Sequence, residues 1–449
     1  MTRPTPLSGF PELLPAERQA EVAVVESLRR VFELHGFANI ETRAVEPLER
    51  LVKGGEIDKE VYVLRRLQAD EAGSDAGVAL HYDLTVPFAR YVLEHAGKLE
   101  FPFRRYQIQR AWRGERPQEG RFREFTQADI DIVAKDELPF HYDVEVARVM
   151  AEALSGLPLP PLRMQVNNRK LIEGFYRGLG ADDPGAVMRI IDKLDKLPAG
   201  VIADQLVEAG LAPGQADQCL ALADIRTPDT SFVDRVRDLG VTHQLLDTGL
   251  AELAAVVEGC EPFASQSLTI EADLRIARGL DYYTGTVFET QMSGFESLGS
   301  VCSGGRYDAL ATDGSTTYPG VGISFGVSRT LVPLVNRGLL TSSRSVPSAV
   351  LVALVEEDSR ADSDAVAQLL RGRGIPTVVA ATASKYGRQI RYAERRGIPY
   401  VWFPGSSVAG TADQVKDIRS GEQVEADAGN WTPPIEDLRP QVISKEQNP

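Results

Sequence analysis

Hydrophobic positions change their period several times along this chain, and each change marks a boundary. Over residues 16–35, Val24, Val25, Leu28, Val31 and Phe32 recur at helical spacing, and Gly36 supplies a C-terminal stop. Residues 38–45 read as a strand, and residues 78–95 as a short strand followed by a helix begun near Pro87. Tyr106 to Trp112 and Phe122 to Asp131 alternate apolar and polar residues. The polar connection Gly114 to Gly120, with Pro117 and Gly120 as turn residues, joins them into a long antiparallel hairpin. From about 165 to 258 the period is helical again, with Leu206, Leu211, Leu220, Leu222, Leu246, Leu250 and Leu253 broken by Pro and Gly at 184–185 and 210–214. Strand-like alternation returns over 268–334 and closes on a Gly-rich run entering a helix at 320–334. Beyond a polar linker at 341–347, apolar runs at 349–355, 378–381 and 400–403 alternate with helices near 361–371 and 385–396. That order predicts an α/β module with mostly parallel strands. Residues before Gly9 and the polar, Pro-rich tail after Asn430 are expected to be disordered.

Composition narrows the class. A chain of 449 residues with 43% hydrophobic content can bury a large core and should form two or three domains. Cys219, Cys260 and Cys302 are widely spaced and odd in number, so neither a disulfide framework nor a thiolate zinc site is expected. The five His residues show no metal-ligand spacing, and no protein-held metal is expected. With no secretory signal and no apolar run near the roughly 18 residues of a membrane span, a reduced, cytoplasmic protein without a membrane partner is expected. The net charge of −15 argues against bulk-charge binding of nucleic acid, DNA included, yet permits a local basic face. Two stretches depart from that acidity. Residues 101–124 hold seven Arg against three Glu, and residues 385–396 hold Lys385, Arg388, Arg391, Arg395 and Arg396 against Glu394.

Candidate chemistry clusters in four places. Arginine forks on the hairpin, beside Trp112, Phe122 and Phe125, suit phosphate or carboxylate in a pocket. Asp83 and Thr85 occupy the turn before the 87–95 helix, where an acid is most often a helix cap. Arg278, Asp281, Tyr282 and Tyr283 fall within six residues, and Gly304-Gly305-Arg306-Tyr307 follows a strand. Taken singly, a Tyr pair is usually core or rim and a double Gly only a turn. The glycines of 320–326 allow close approach of backbone and ligand, and Arg329 at the following helix start can reach phosphate. No P-loop Lys or Rossmann acid accompanies them.

Several of these stretches resemble a known family. Trp112-Arg113-Gly114-Glu115 followed by Gly120-Arg121-Phe122-Arg123-Glu124-Phe125 is similar to motif 2 of the class II aminoacyl-tRNA synthetases. REFTQADID at 123–131, RGLDYYTGTVFE at 278–289 and SGGRYDAL at 303–310 resemble the histidyl-tRNA synthetases, and the likeness runs from about residue 8 to about 425. The run at 320–334 resembles motif 3. The helix and strand of 16–45 resemble motif 1, with Arg43 where a proline is usual and Pro47 four residues on. The resemblance implies an α+β catalytic domain, a class II antiparallel sheet with flanking helices, over 1–164 and 262–340. It places a helical insertion at 165–261 and a C-terminal α/β anticodon-binding domain at 346–430, with 431–449 a tail.

It also implies a reaction, the ATP-dependent ligation of L-histidine to tRNA(His) through histidyl-adenylate, with Mg²⁺ bridging the ATP phosphates, in a homodimer. Under that resemblance Arg113 and Arg278 flank the substrate carboxylate and α-phosphate, Arg278 standing where other class II enzymes use a metal ion. Glu115 accepts from the adenine amino group, Phe125 and Arg329 sandwich the ring, and Arg121 holds the γ-phosphate. Asp83, Thr85 and Gln127 hold the histidine amino group, with Asp131, Tyr282, Tyr283 and Tyr307 shaping its pocket. Lys385, Arg388 and Arg391 serve tRNA. The alternative is a non-catalytic paralogue that regulates ATP phosphoribosyltransferase; such chains typically lack the anticodon module and degrade the RGLDYY stretch. A class II synthetase for threonine, proline or glycine would leave RGLDYY unexplained.

Overall fold

A nine-stranded sheet carries the first of two compact units, which comprises residues 1–11 and 25–333. The computed structural model describes residues 4–52, 59–67, 77–276, 282–405 and 411–445. The strands lie in the order Ala38–Asn39, Phe103–Trp112, Glu124–Val133, Thr317–Gly326, Cys302–Thr312, Thr286–Met292, Leu162–Asn168, Leu268–Asp273 and Arg226–Thr227. From Phe103–Trp112 to Leu162–Asn168 every neighbour is antiparallel. Alternation divides the faces. Ile130, Ile132, Ile323 and Phe325 are buried on one, under the helix His141–Ser155; Asp129, Asp131, Gly322 and Ser324 lie on the other.

The expected hairpin is present as Phe103–Trp112 and Glu124–Val133, and the helix expected near Pro87 spans Thr85–His95. The expected strand at 38–45 is mostly absent; only Ala38–Asn39 and Val45–Pro47 pair. Between them side-chain amides replace the ladder. Gln107 Nε2 donates to Thr42 Oγ1 at 2.9 Å, and Gln109 Nε2 donates to the Thr42 carbonyl at 2.8 Å. Arg43, half exposed, pairs with Glu46 at 3.5 Å.

The boundary expected at 165 also moves. Leu162–Asn168 is an interior strand of the sheet, so the helical segment begins at Arg169 and runs to Cys260. The strand does alternate, Leu162, Met164 and Val166 against Arg163, Gln165 and Asn167, but over only seven residues and directly before the helical run. The double glycine is corrected as well. Gly304 and Gly305 do not follow a strand but lie inside Cys302–Thr312. A Cβ on Gly304 would collide with the Gly322 carbonyl, and one on Gly305 with the Thr286 carbonyl and the Tyr283 ring. They are glycines so that strands and an aromatic ring can approach, not so that the chain can turn.

The second unit, residues 12–24 and 334–449, holds a five-stranded sheet in the order Thr377–Val379, Val350–Val352, Tyr400–Phe403, Gln414–Asp417 and Gln423–Glu425. The first three are parallel, as expected, and the last two antiparallel. The helix Tyr386–Arg396 is pinned by Gln389, which donates to the Leu354 carbonyl and accepts from the Leu354 amide. Gln389 and Ala393 face inward, so Lys385, Arg388, Arg391, Arg395 and Arg396 are exposed.

The tail expected to be disordered from 431 is ordered through residue 445. Trp431 packs edge-on against Tyr400 and Trp402, Asp437 accepts from the Tyr400 hydroxyl at 2.7 Å and from Arg419, and Val442–Ser444 pairs with Leu340–Ser342. A few anchors outweigh the polar composition around them; residues 446–449 lie outside the described residues.

Candidate active site

The antiparallel registers place polar residues in rows across the first unit's sheet. One row runs Gln107, Asp129, Ser324, Ser303 and Glu289; its neighbour runs Arg105, Asp131, Gly322 and Gly305. Backbone hydrogen bonds fix the strands, so these side chains converge without a loop having to position them.

Above the rows is a cavity of about 320 Å³ lined by Arg113, Glu115, Arg121, Phe125, Gln127, Ser303, Ser324 and Arg329, among others. Six residues selected from the sequence thus meet in one place. Arg113 donates from Nε to the Tyr82 carbonyl at 3.0 Å, and its guanidinium lies 5.1 Å from the Phe125 ring centre. Arg121 Nη1 is 3.7 Å from Glu115 Oε2. Arg329 opens the helix Val327–Asn336 and donates to the Leu298 carbonyl at 2.6 Å and 3.0 Å. Ser328 Oγ accepts from the Thr126 amide, tying that helix start to the hairpin. Gln127 donates to Ser324 Oγ at 2.8 Å, while its buried Oε1 has no hydrogen-bond partner among the described residues. A neighbouring cavity of about 370 Å³ shares Arg121, Ser300, Ser303 and Arg329 and adds Glu289 and Tyr283.

Asp83, Thr85, Tyr282 and Tyr283 line a third cavity, of about 340 Å³, together with Tyr82. One Asp83 oxygen accepts from the Val86 amide at 3.0 Å, as a helix cap does, while the residue also faces the cavity. Asp131 and Tyr307 line none of these three cavities. They are buried behind the third, where the Tyr307 hydroxyl donates to Asp131 Oδ1 at 2.9 Å and its ring stacks on Tyr282 with centroids 5.4 Å apart. Burial, then the Asp131 charge, pushes the phenols of Tyr282, Tyr283 and Tyr307 upward, so they remain neutral donors. Arg278 and Asp281 lie outside the described residues.

Arg306, beside Tyr307, points to the opposite face. It grips Asp143 with Nε and Nη2 at 2.9 Å and 2.7 Å and donates to the carbonyls of Leu138 and Pro139. Sequence reasoning overlooked Arg105 and Asp129. The signal was present: polar residues at every second position over 105–109 and 127–131 belong to one face of a hairpin, and pairing them in register brings the charges together. Among the described residues no three His, Cys, Asp or Glu side chains form a metal cluster, and no helix is long and apolar enough to cross a membrane.

An antiparallel sheet carrying an Arg-rich hairpin, followed by a Gly-rich strand that enters a helix with an Arg at its start, defines a class II aminoacyl-tRNA synthetase catalytic domain. Residues 9–330 match the family described as histidyl-tRNA synthetase, and residues 349–433 match an anticodon binding domain. The chain is 58% identical to the histidine–tRNA ligase of Cutibacterium acnes, covering 99% of each. The crystal structure of histidyl-tRNA synthetase from Nostoc sp. PCC 7120 superposes with a TM-score of 0.83 at 33% identity, covering 95% of this chain and 97% of that one. This chain belongs to the histidyl-tRNA synthetase family. An ATP phosphoribosyltransferase regulatory subunit/histidyl-tRNA synthetase from Bacillus halodurans C shares the fold, with a TM-score of 0.70 at 18% identity over 86% of this chain and 96% of that one.

Proposed function

We propose that this chain ligates L-histidine to tRNA(His) through a histidyl-adenylate, in the cytoplasm and as a homodimer. The observation that carries the reading is the meeting of Arg113, Glu115, Arg121, Phe125, Gln127 and Arg329 around one cavity. A carboxylate attacks the α-phosphorus and pyrophosphate leaves, so positioning and charge stabilisation supply most of the rate. Arg113 and Arg278 bind the carboxylate and α-phosphate oxygens. Arg121 takes the γ-phosphate, Glu115 accepts from the adenine amino group, and Phe125 and Arg329 hold the ring between them. The unpartnered Oε1 of Gln127 is an acceptor for the substrate ammonium, which Asp83 and Thr85 reach from the third cavity. Asp131, Tyr282, Tyr283 and Tyr307 shape the pocket for the imidazole.

Magnesium fits as a companion of ATP. Glu289, the carboxylate lining the second cavity, would help to hold the ion beside the nucleotide. Bound there, it would neutralise phosphate charge. The test is ATP–pyrophosphate exchange with each amino acid in turn. Exchange is expected with histidine alone; equal exchange with threonine, proline or glycine rejects the reading, and no exchange with any favours the regulatory one.

The exposed basic face of Tyr386–Arg396 is assigned to tRNA phosphates. Replacing Arg388 and Arg391 with Ala should weaken tRNA binding and flatten its salt dependence, by roughly 0.7–0.9 in log–log slope per lost contact. Exchange without tRNA should be unaffected. A binding isotherm series across salt concentrations checks this, and a fall in exchange with tRNA affinity intact would contradict it.

A further inference from the structure

Arg105 is fully buried, an unusual position for a guanidinium, and lies outside all three cavity linings. Its Nη2 is 2.6 Å from Asp131 Oδ2 and 3.8 Å from Asp129 Oδ2. Nη1 donates to Gln107 Oε1 at 3.3 Å, and the Phe88 ring covers the group at 4.3 Å. Gln107 in turn donates to Thr42 and Gln109, so the guanidinium is held in a frame of side chains on rigid strands. Two carboxylates share this one cation, and Asp129 Oδ1 is buried without a hydrogen-bond partner among the described residues. A buried cation is costly unless it is paired, and such an arrangement specifies geometry more than it adds stability.

We propose that Arg105 is a positioning residue for histidine recognition: through Nη2 it orients Asp131 and holds it ionised. The inference rests on the reading that Asp131 serves the amino-acid pocket. The groups facing Asp131 are Arg105 and Tyr307, in direct contact, with Asp83, Asp129, Tyr282 and Tyr283 around them. Burial raises the Asp131 carboxyl to about 6, with Asp83 adding to the rise and Arg105 and Tyr307 opposing it. Asp129 is raised further, to about 7, by burial and then by Asp131 across the weaker hold of the more distant Arg105. The site therefore works close to the point at which Asp131 loses its charge. The KM for histidine should rise as pH falls through about 6.

The two charged neighbours of Asp131 should behave differently on substitution. Arg105→Met leaves Asp131 protonated to higher pH, which moves the pH dependence of kcat/KM for histidine upward. It should raise the KM for histidine on the order of tenfold to a hundredfold, as Asp131 loses the counter-charge 2.6 Å away. Asp129→Asn should leave the profile in place, because Asp129, raised to about 7, is already protonated where Asp131 titrates near 6. In neither variant should the KM for ATP change. The imidazole of free histidine titrates in the same range for every variant, so the readout is the difference between profiles. In an Asp131→Asn background Arg105→Met should lose its effect on the histidine KM.

The experiment is pyrophosphate exchange on the full chain from pH 5.5 to 8.5, with histidine and ATP varied separately, on wild type and these variants. Arg105→Lys, which keeps a cation without the fork, carries the test if Arg105→Met does not fold, with a smaller upward shift. An Arg105 profile that stays in place, an Asp129→Asn profile that moves as far, equal changes in both KM values, or an undiminished effect in the Asp131→Asn background overturn the proposal. Wild-type exchange that does not depend on histidine overturns the underlying reading instead, which separates the two failures.

Discussion

Arg113→Ala should slow histidine-dependent adenylate formation by on the order of 10²–10³, or about 3–4 kcal/mol of transition-state stabilisation. The guanidinium is fixed before substrate arrives, by the hydrogen bond from Nε to the Tyr82 carbonyl and by the Phe125 ring beneath it. On the proposed reading, negative charge building on the α-phosphate would meet an oriented donor and pay no reorganisation penalty. Supplied with preformed histidyl-adenylate, the variant should transfer to tRNA with a much smaller deficit, because the bond to be made already exists. Arg113→Lys should rescue only in part, since an ammonium cannot reproduce the planar fork. Single-turnover rates of the two half-reactions, measured beside a melting curve, decide the matter. Equal slowing of both with a lowered melting temperature would show that Arg113 merely ties the hairpin to Tyr82. Arg278 carries the same expectation and the same test.

Asp143→Ala should destabilise the protein by about 3–5 kcal/mol, the range found when one partner of a buried ion pair is removed. Asp143 is wholly inaccessible, accepts from Thr286 Oγ1 at 2.6 Å and takes both arms of the Arg306 fork. Burial raises its carboxyl even against Arg306 and Thr286, so desolvation outweighs their hold on the charge and the pair itself adds little. The cost comes from leaving the buried Arg306 guanidinium without its counter-charge, with only the Leu138 and Pro139 carbonyls to receive it. Replacing both residues, as Asp143→Leu with Arg306→Met, should recover most of the loss. Denaturant titration of the single and double variants checks this; a double variant as unstable as the single would contradict the account. Activity should fall in Asp143→Ala as well, because Arg306 anchors the strand that presents Tyr307 to Asp131.

Local sequence determined a good deal of this protein. The hairpin was legible because apolar and polar residues alternate over Tyr106 to Trp112 and Phe122 to Asp131 and the connection has turn chemistry. Motif-bearing residues such as Arg113, Glu115 and Phe125 were legible because they lie close together in sequence, at the turn end of that hairpin. The basic helix was legible from charge at helical spacing, and Gln389 and Ala393 mark its buried side. Each of these features depends on contacts within some 30 residues.

Other features depended on partners remote in sequence, and local pattern is blind to those. The strand Leu162–Asn168 gained its place between Thr286–Met292 and Leu268–Asp273, more than 90 residues away; its short alternation of Leu162, Met164 and Val166 with polar residues did not by itself say which strands would flank it. Gly304 and Gly305 read as a turn until the Gly322 carbonyl and the Tyr283 ring were seen against them. The tail from Trp431 is polar almost throughout, yet Trp402, Tyr400 and Arg419 hold it through three or four side chains. Arg105 shows the division most sharply. Its charge was plain in the sequence, but a guanidinium surrounded by solvent and one enclosed with two carboxylates differ only in tertiary contacts, and desolvation makes those contacts decide what the residue does.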